Sequence, residues 1–161
     1  DLGATLNFNG GGTINIYGGS SVSVWAFSDD ASITMNGGTL DFKDQGISLV
    51  TAVPYTLTTA ITGGTIRTSG DFYSNRATFN PTGGTIELYG PVNADVTVAA
   101  GSLWTLTIDK TAGSLVSLES NLTLGGTLNV QNSTFSALNK DITVASSIML
   151  NWDGVFLLGA G

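Results

Sequence analysis

Five copies of one short phrase, Gly-Gly-Thr-(Ile/Leu)-x, constrain this chain more than any other feature. They stand at Gly11–Asn15, Gly37–Asp41, Gly63–Arg67, Gly83–Glu87 and Gly125–Asn129, spaced 26, 26, 20 and 42 residues apart. Self-similarity at such a period is the mark of a stacked array, in which one unit cannot bury its apolar face alone and neighbours do it together. The interval of 42 is close to two periods. It predicts one coil without the phrase, around Gly101 to Gly113.

Each phrase opens a run of period-two alternation, as in Thr13-Ile14-Asn15-Ile16-Tyr17, Thr39-Leu40-Asp41-Phe42 and Thr85-Ile86-Glu87-Leu88-Tyr89. Such alternation marks strands apolar on one side. Val22-Ser23-Val24, Val96-Thr97-Val98, Leu106-Thr107-Ile108, Leu122-Thr123-Leu124 and Ile142-Thr143-Val144 alternate too, and no stretch carries helical apolar spacing between helix caps. The glycine pairs are expected to supply the positive φ of tight corners. The expected fold is therefore all-β: a single-stranded parallel β-helix of about seven coils of 20–26 residues, right-handed by default, covering 1–161 as one segment. An antiparallel sandwich also has many short strands, but has no reason to repeat one phrase.

Stacking makes a statement about faces. With Ile14, Leu40, Ile66, Ile86 and Leu128 inside, the preceding threonines form an outward ladder, followed by a column of Asn15, Asp41, Arg67, Glu87 and Asn129. Asp41, Arg67 and Glu87 would then alternate in sign on successive coils and pair as exposed charges, setting register more than adding stability. Both ends read as open. Leu2–Phe8 is already a strand, and Ile148-Met149-Leu150, Trp152 and Val155-Phe156-Leu157-Leu158 form an apolar run to the last residues. An open apolar edge templates further strands. The expected partners are adjacent coils of a longer parent chain or other copies of this chain, the segment being excised from, or stacking into, a longer array.

Composition narrows function. Charged residues are 11% of the chain, the net charge is −7, and the five basic residues are scattered. Nucleic acid and anionic membranes are held by clustered Lys and Arg, so neither is an expected partner, and no run of about 20 apolar residues predicts membrane insertion. With neither cysteine nor histidine, disulfides and thiolate chemistry are excluded. Asp29-Asp30 is the only adjacent acidic pair; it reads as a solvated turn, with a Ca2+ site as the functional reading. Asp71 and Arg76 flank Phe72-Tyr73 in a longer insert and resemble a lyase-type site only loosely. No catalytic, cofactor or metal residues are assigned, and the chain is expected not to be an enzyme.

Trp25, Trp104, Trp152, Tyr17, Tyr55, Tyr73 and Tyr89 invite a carbohydrate reading, with Tyr17, Tyr89 and Trp104 as candidate glycan-stacking residues and surface polysaccharide as the partner. Tyr17 and Tyr89 hold the same place after their phrases. Core or corner packing is the plainer account. Ice binding comes third, because the second outward column holds Asn, Asp, Arg and Glu where a flat threonine array is needed.

Three stretches carry a resemblance: Gly83-Gly84-Thr85-Ile86-Glu87-Leu88-Tyr89-Gly90, Gly101-Ser102-Leu103-Trp104-Thr105-Leu106-Thr107-Ile108-Asp109-Lys110 and Asn121-Leu122-Thr123-Leu124-Gly125-Gly126-Thr127-Leu128. In these the chain resembles the β-helical repeats of large bacterial surface proteins: adhesin-like and filamentous-haemagglutinin-like chains and autotransporter passengers. The resemblance covers most of the chain and implies export, display on the cell surface, and a role in adhesion or extracellular scaffolding, as a surface protein or filament. It carries over no catalytic residues.

Overall fold

The computed structural model describes residues 4–17, 22–27, 30–51 and 55–159. Every regular element among them is a strand, and every strand pairing is parallel. The chain winds as a β-solenoid. The first coil holds β1 (Ala4–Phe8), β2 (Thr13–Asn15) and β3 (Val22–Phe27), the second β4 (Ala31–Asp41) and β5 (Gly46–Thr51), and the third β6 (Leu57–Thr68) and β7 (Phe72–Ser74). The fourth holds β8 (Thr85–Gly90) and β9 (Ala94–Val98), and the fifth β10 (Thr105–Lys110) and β11 (Leu115–Leu118). The sixth holds β12 (Leu122–Leu124), β13 (Leu128–Gln131) and β14 (Thr134–Ser136), and the seventh β15 (Ile142–Val144), β16 (Ile148–Asn151) and β17 (Val155–Leu157).

Two long sheets run the length of the rod. One follows the repeat phrase in the order β1-β4-β6-β8-β10-β13-β16, with β2 also on β4, and the other runs β17-β14-β11-β9-β7-β5-β3. The third side is formed by the first halves of β4 and β6 on β1 and by β12 on β15. Between these, single bonds keep the ladder going, as where Thr82 N–H donates to the Ile61 carbonyl (2.9 Å) and Ser102 N–H to that of Phe79 (3.0 Å). Seven rungs make six turns, about 29 Å of rod at about 4.8 Å per rung.

The core is a set of columns along the axis. Ile14, Leu40, Ile66, Ile86, Leu106, Leu128 and Ile148 fall in strict register. The five in the middle are at most 4% exposed, whereas Ile14 and Ile148 on the outermost rungs are 43% and 47% exposed. This places the missing phrase within the expected interval: Leu103-Trp104 stands where the glycine pair would be, followed by Thr105-Leu106. The outward ladder is Thr13, Thr39, Thr65, Thr85, Thr105, Thr127 and Ser147.

The glycine pairs do two jobs rather than one. Only the second glycine takes a positive φ, +71° at Gly38, +83° at Gly64 and +79° at Gly84. The first is needed for space, because a Cβ at Gly63 would lie 2.5 Å from the Asn36 carbonyl oxygen and one at Gly83 2.1 Å from that of Thr62. At Gly11, on the first rung, a Cβ would meet nothing. In the sixth coil the pair serves a third purpose. Gly125 and Gly126 make room for the Trp104 indole, which a Cβ on Gly125 would approach to 2.7 Å.

Coil size is not constant. One turn takes 26 residues where Asp30 meets Thr56, between the second and third coils. It takes 20 residues where Asn121 meets Asp141, between the sixth and seventh. The core column changes in the same way, with wide steps from Ile14 to Leu40 to Ile66 and narrower ones from there to Ile148. Along the core column the number of residues per turn therefore falls from the N-terminal side of the rod to the C-terminal side.

Candidate functional site

The polar side chains gather most densely on the sheet of the repeat phrase, where the outward column runs Asn15, Asp41, Arg67, Glu87, Thr107, Asn129 and Met149. The charge ladder expected from the sequence forms. Arg67 Nη2 lies 3.3 Å from Glu87 Oε1, and its Nε lies 3.8 Å from Asp41 Oδ2. Lys43, just beyond the end of β4, adds a 2.8 Å contact to the same Asp41 oxygen.

The ladder is not the exposed feature that its residue types suggested. Tyr89 lies along the rod axis across two coils: its ring sits 4.0 Å from the Arg67 guanidinium carbon, and its hydroxyl donates to Asp41 Oδ1 at 2.8 Å. Asp41 is left only 5% exposed. Burial pushes the Asp41 carboxyl up, but hydrogen bonds from the Lys43 side chain and backbone and from Tyr89 outweigh it, and the net shift is downward. Burial raises Glu87; Arg67 opposes this, while Asp109 and Asp41 add to it. Burial and the bond to Asp41 hold the Tyr89 phenol well above its usual range. This cluster stitches coils two, three and four together.

A second group of charges sits at the corner where this sheet turns into the next. Lys110 pairs in register with Gly90, and its amine hydrogen-bonds the Ser69 carbonyl two coils back. The residue is 1% exposed. Burial lowers the amine to about 8, with Asp71 as the opposing charge. Asp71 and Asp95 stand on adjacent coils as a like-charge stack. It is eased by the Asp95 N–H, which donates to Asp71 Oδ1 at 2.9 Å. Burial, then Asp71 and Glu119, raise the Asp95 carboxyl.

The three candidate glycan-stacking residues do not converge. Tyr17 is 76% exposed on the first coil, and Tyr89 is half-buried over the charge ladder in the fourth. Trp104 is 37% exposed at the opposite end of the repeat strand, on the fifth coil. It forms one lip of a shallow apolar cleft lined by Ile61, Phe79, Pro81, Gly84 and Thr85, with room for about one water molecule. Trp152 is exposed on the seventh coil, and the Trp25 side chain lies outside the described residues.

Of the Asp29-Asp30 pair, Asp29 is outside the described residues. Asp30 Oδ1 accepts both the Thr56 N–H (2.8 Å) and the Thr56 hydroxyl (2.9 Å), and these bonds lower its carboxyl. Asp30 belongs to a corner that ties coil two to coil three. Among the described residues no three acidic side chains come together in a way that could hold a metal ion. Asp71 immediately precedes β7, while Arg76 follows it in the loop, where its carbonyl accepts from Phe79 N–H at 3.0 Å.

Sequence reasoning missed two of these features. The tyrosine strap was hidden because its hydroxyl meets Asp41, 48 residues back along the chain. Lys110 passed for one more scattered surface charge, and the available signal was its parity, because it continues the inward alternation of Leu106 and Ile108. Comparison with protein-family models, with curated proteins and with solved structures finds no match in any of the three.

Proposed function

We propose that this chain is a structural or adhesive, non-catalytic β-solenoid element of a bacterial surface protein, working outside the cell. The observation that carries the reading is the unbroken stack of seven rungs around one core. It gives a stiff spacer of about 29 Å with parallel ladders on every side. Its charged side chains serve the stack itself: Asp41, Arg67 and Glu87 lock successive coils, and Lys110 fastens a corner. The outward ladder of threonines suits a surface that stays hydrated without charge.

The test is immunolabelling of intact cells of the source organism with antibody raised against the purified chain. Labelling of unpermeabilised cells, lost on brief protease shaving, is the expected result. Labelling only after permeabilisation refutes the extracellular reading. A second reading, a carbohydrate-binding surface, draws on Trp104, whose part-exposed indole borders the apolar cleft. Aromatic faces of this kind stack on sugar rings. A glycan array separates the two: saturable binding abolished by Trp104→Ala would establish the second.

A further inference from the structure

Trp104 stands where the repeat phrase calls for glycine, and two coils are shaped around it. Leu103-Trp104 takes the place of the glycine pair in coil five. Leu103 is fully buried and bridges to Leu124 in coil six, while Trp104, next along, is left 37% exposed. In coil six the pair Gly125-Gly126 is kept, yet neither residue has the positive φ that the second glycine takes in coils one to four. What this pair supplies is a seat. A Cβ on Gly125 would lie 2.7 Å from Trp104 Cε3, and one on Gly126 3.0 Å from Nε1. These two atoms stand on opposite edges of the indole, so a face of the ring covers the glycine pair.

The rest of the indole borders the cleft described above. Apolar Ile61, Phe79 and Pro81 and the hydroxyl-bearing Thr85 and Thr105 line it with Trp104. With room for about one water molecule, the cleft is too small for a ring but matches a single hydroxyl group. An aromatic ring fixed on one side, open on the other and bordered by a few hydroxyls suits a ligand with one apolar face and a polar rim. Among the described residues no charged side chain lines the cleft. Arg67 and Glu87 on the same sheet are engaged with each other at 3.3 Å, and the chain carries a net charge of −7. An anionic ligand would meet repulsion from that net charge and no cation in the cleft to offset it.

We propose that Trp104 and this cleft bind one uncharged pyranose ring of a polysaccharide. The apolar face of the sugar lies on the indole, and one hydroxyl or hydroxymethyl group enters the cleft beside Thr85. Tyr17 and Tyr89 take no part: Tyr17 is four coils away, and the Tyr89 ring is already held over Arg67. The inference names the ligand class for the carbohydrate reading given above and rests on that reading.

Native electrophoresis through gels that hold a polysaccharide tests it, with hydroxyethylcellulose, galactomannan and laminarin as neutral probes and alginate and polygalacturonate as anionic ones. At least one neutral probe is expected to retard the chain, and neither anionic one to do so. Trp104→Ala is expected to abolish the retardation and Trp104→Phe to keep part of it, both with an unchanged circular dichroism spectrum. Thr85→Glu leaves the indole in place, puts a charge at the cleft, and should weaken binding about tenfold. Retardation by an anionic probe overturns the uncharged class while the carbohydrate reading stands. Retardation by a neutral probe that survives Trp104→Ala, or that Thr85→Glu leaves at full strength, puts the sugar elsewhere and overturns the site. Retardation by none of the five removes the carbohydrate reading itself, and this inference with it.

Discussion

Replacing Lys110 by Met tests whether the buried amine burdens the fold as its surroundings imply. Met fills a similar volume without the charge. The folded chain holds the amine at about 8 against 10.5 in the unfolded chain. At about 1.4 kcal/mol for each tenfold change in affinity, that gap is worth about 3 kcal/mol. The folded state binds this proton less tightly than the unfolded one. Protons therefore leave on folding between pH 8 and 10.5, and wild-type stability gains from this group as pH rises through that window. Below about pH 8 the full penalty is present. Met removes it, but strips the Ser69 carbonyl of its bond to the amine, a loss of about 1–2 kcal/mol. The variant should be more stable than wild type by about 1–2 kcal/mol at pH 6, and by pH 10, where only about 1 kcal/mol of the penalty remains, that advantage should be gone or reversed by up to about 1 kcal/mol. Urea unfolding followed by circular dichroism at half-unit pH steps gives both curves, and titration of Tyr89 cancels in their difference. A difference that stays flat from pH 6 to 10 would refute the reasoning, since it would mean that the amine is not desolvated.

Gly83→Ala should be far more damaging than Gly113→Ala: the first drives a Cβ to 2.1 Å from a backbone oxygen, the second meets nothing and bears only its φ of +87°. Losses of more than about 3 kcal/mol and of about 1 kcal/mol are expected in urea melts, and equal losses would contradict the close-approach account. Tyr89→Phe removes a hydrogen bond to a buried carboxylate and should cost about 1.5–3 kcal/mol at pH 7. That loss should shrink as the pH falls far enough to protonate Asp41. Glu87→Gln should narrow the stability gap to wild type as pH falls toward 4.5. The raised carboxyl is penalised when charged, and wild type is relieved of that penalty as the group protonates. A gap that widens on acidification would show the Arg67 pairing to be the stronger influence.

The columns were legible because a stacked coil repeats its chemistry at a fixed period. The phrase that fixed Ile14, Leu40 and Ile66 as one column also revealed the coil that lacks it, since the interval from Gly83 to Gly125 is too long for one turn. The Asp41–Arg67–Glu87 ladder was legible for the same reason. Its energetic character was not. Whether those charges stand in water depends on Tyr89, which belongs to a different column and reaches them only because its ring lies along the axis. The two uses of the glycine pair were equally hidden. Positive φ is a local property that glycine advertises, whereas the clash that excludes a Cβ at Gly83 comes from Thr62, one coil away.

Sequence alone determined the parallel solenoid, its number of coils, the identity of the core columns and the order of charges along the ladder. Each of these is a periodic property, and period is what a sequence records. The tertiary structure decided the burial of Lys110 and the tyrosine strap. These depend on which residues become neighbours along the axis, and a single strand fixes that only after the coil beneath it is in place.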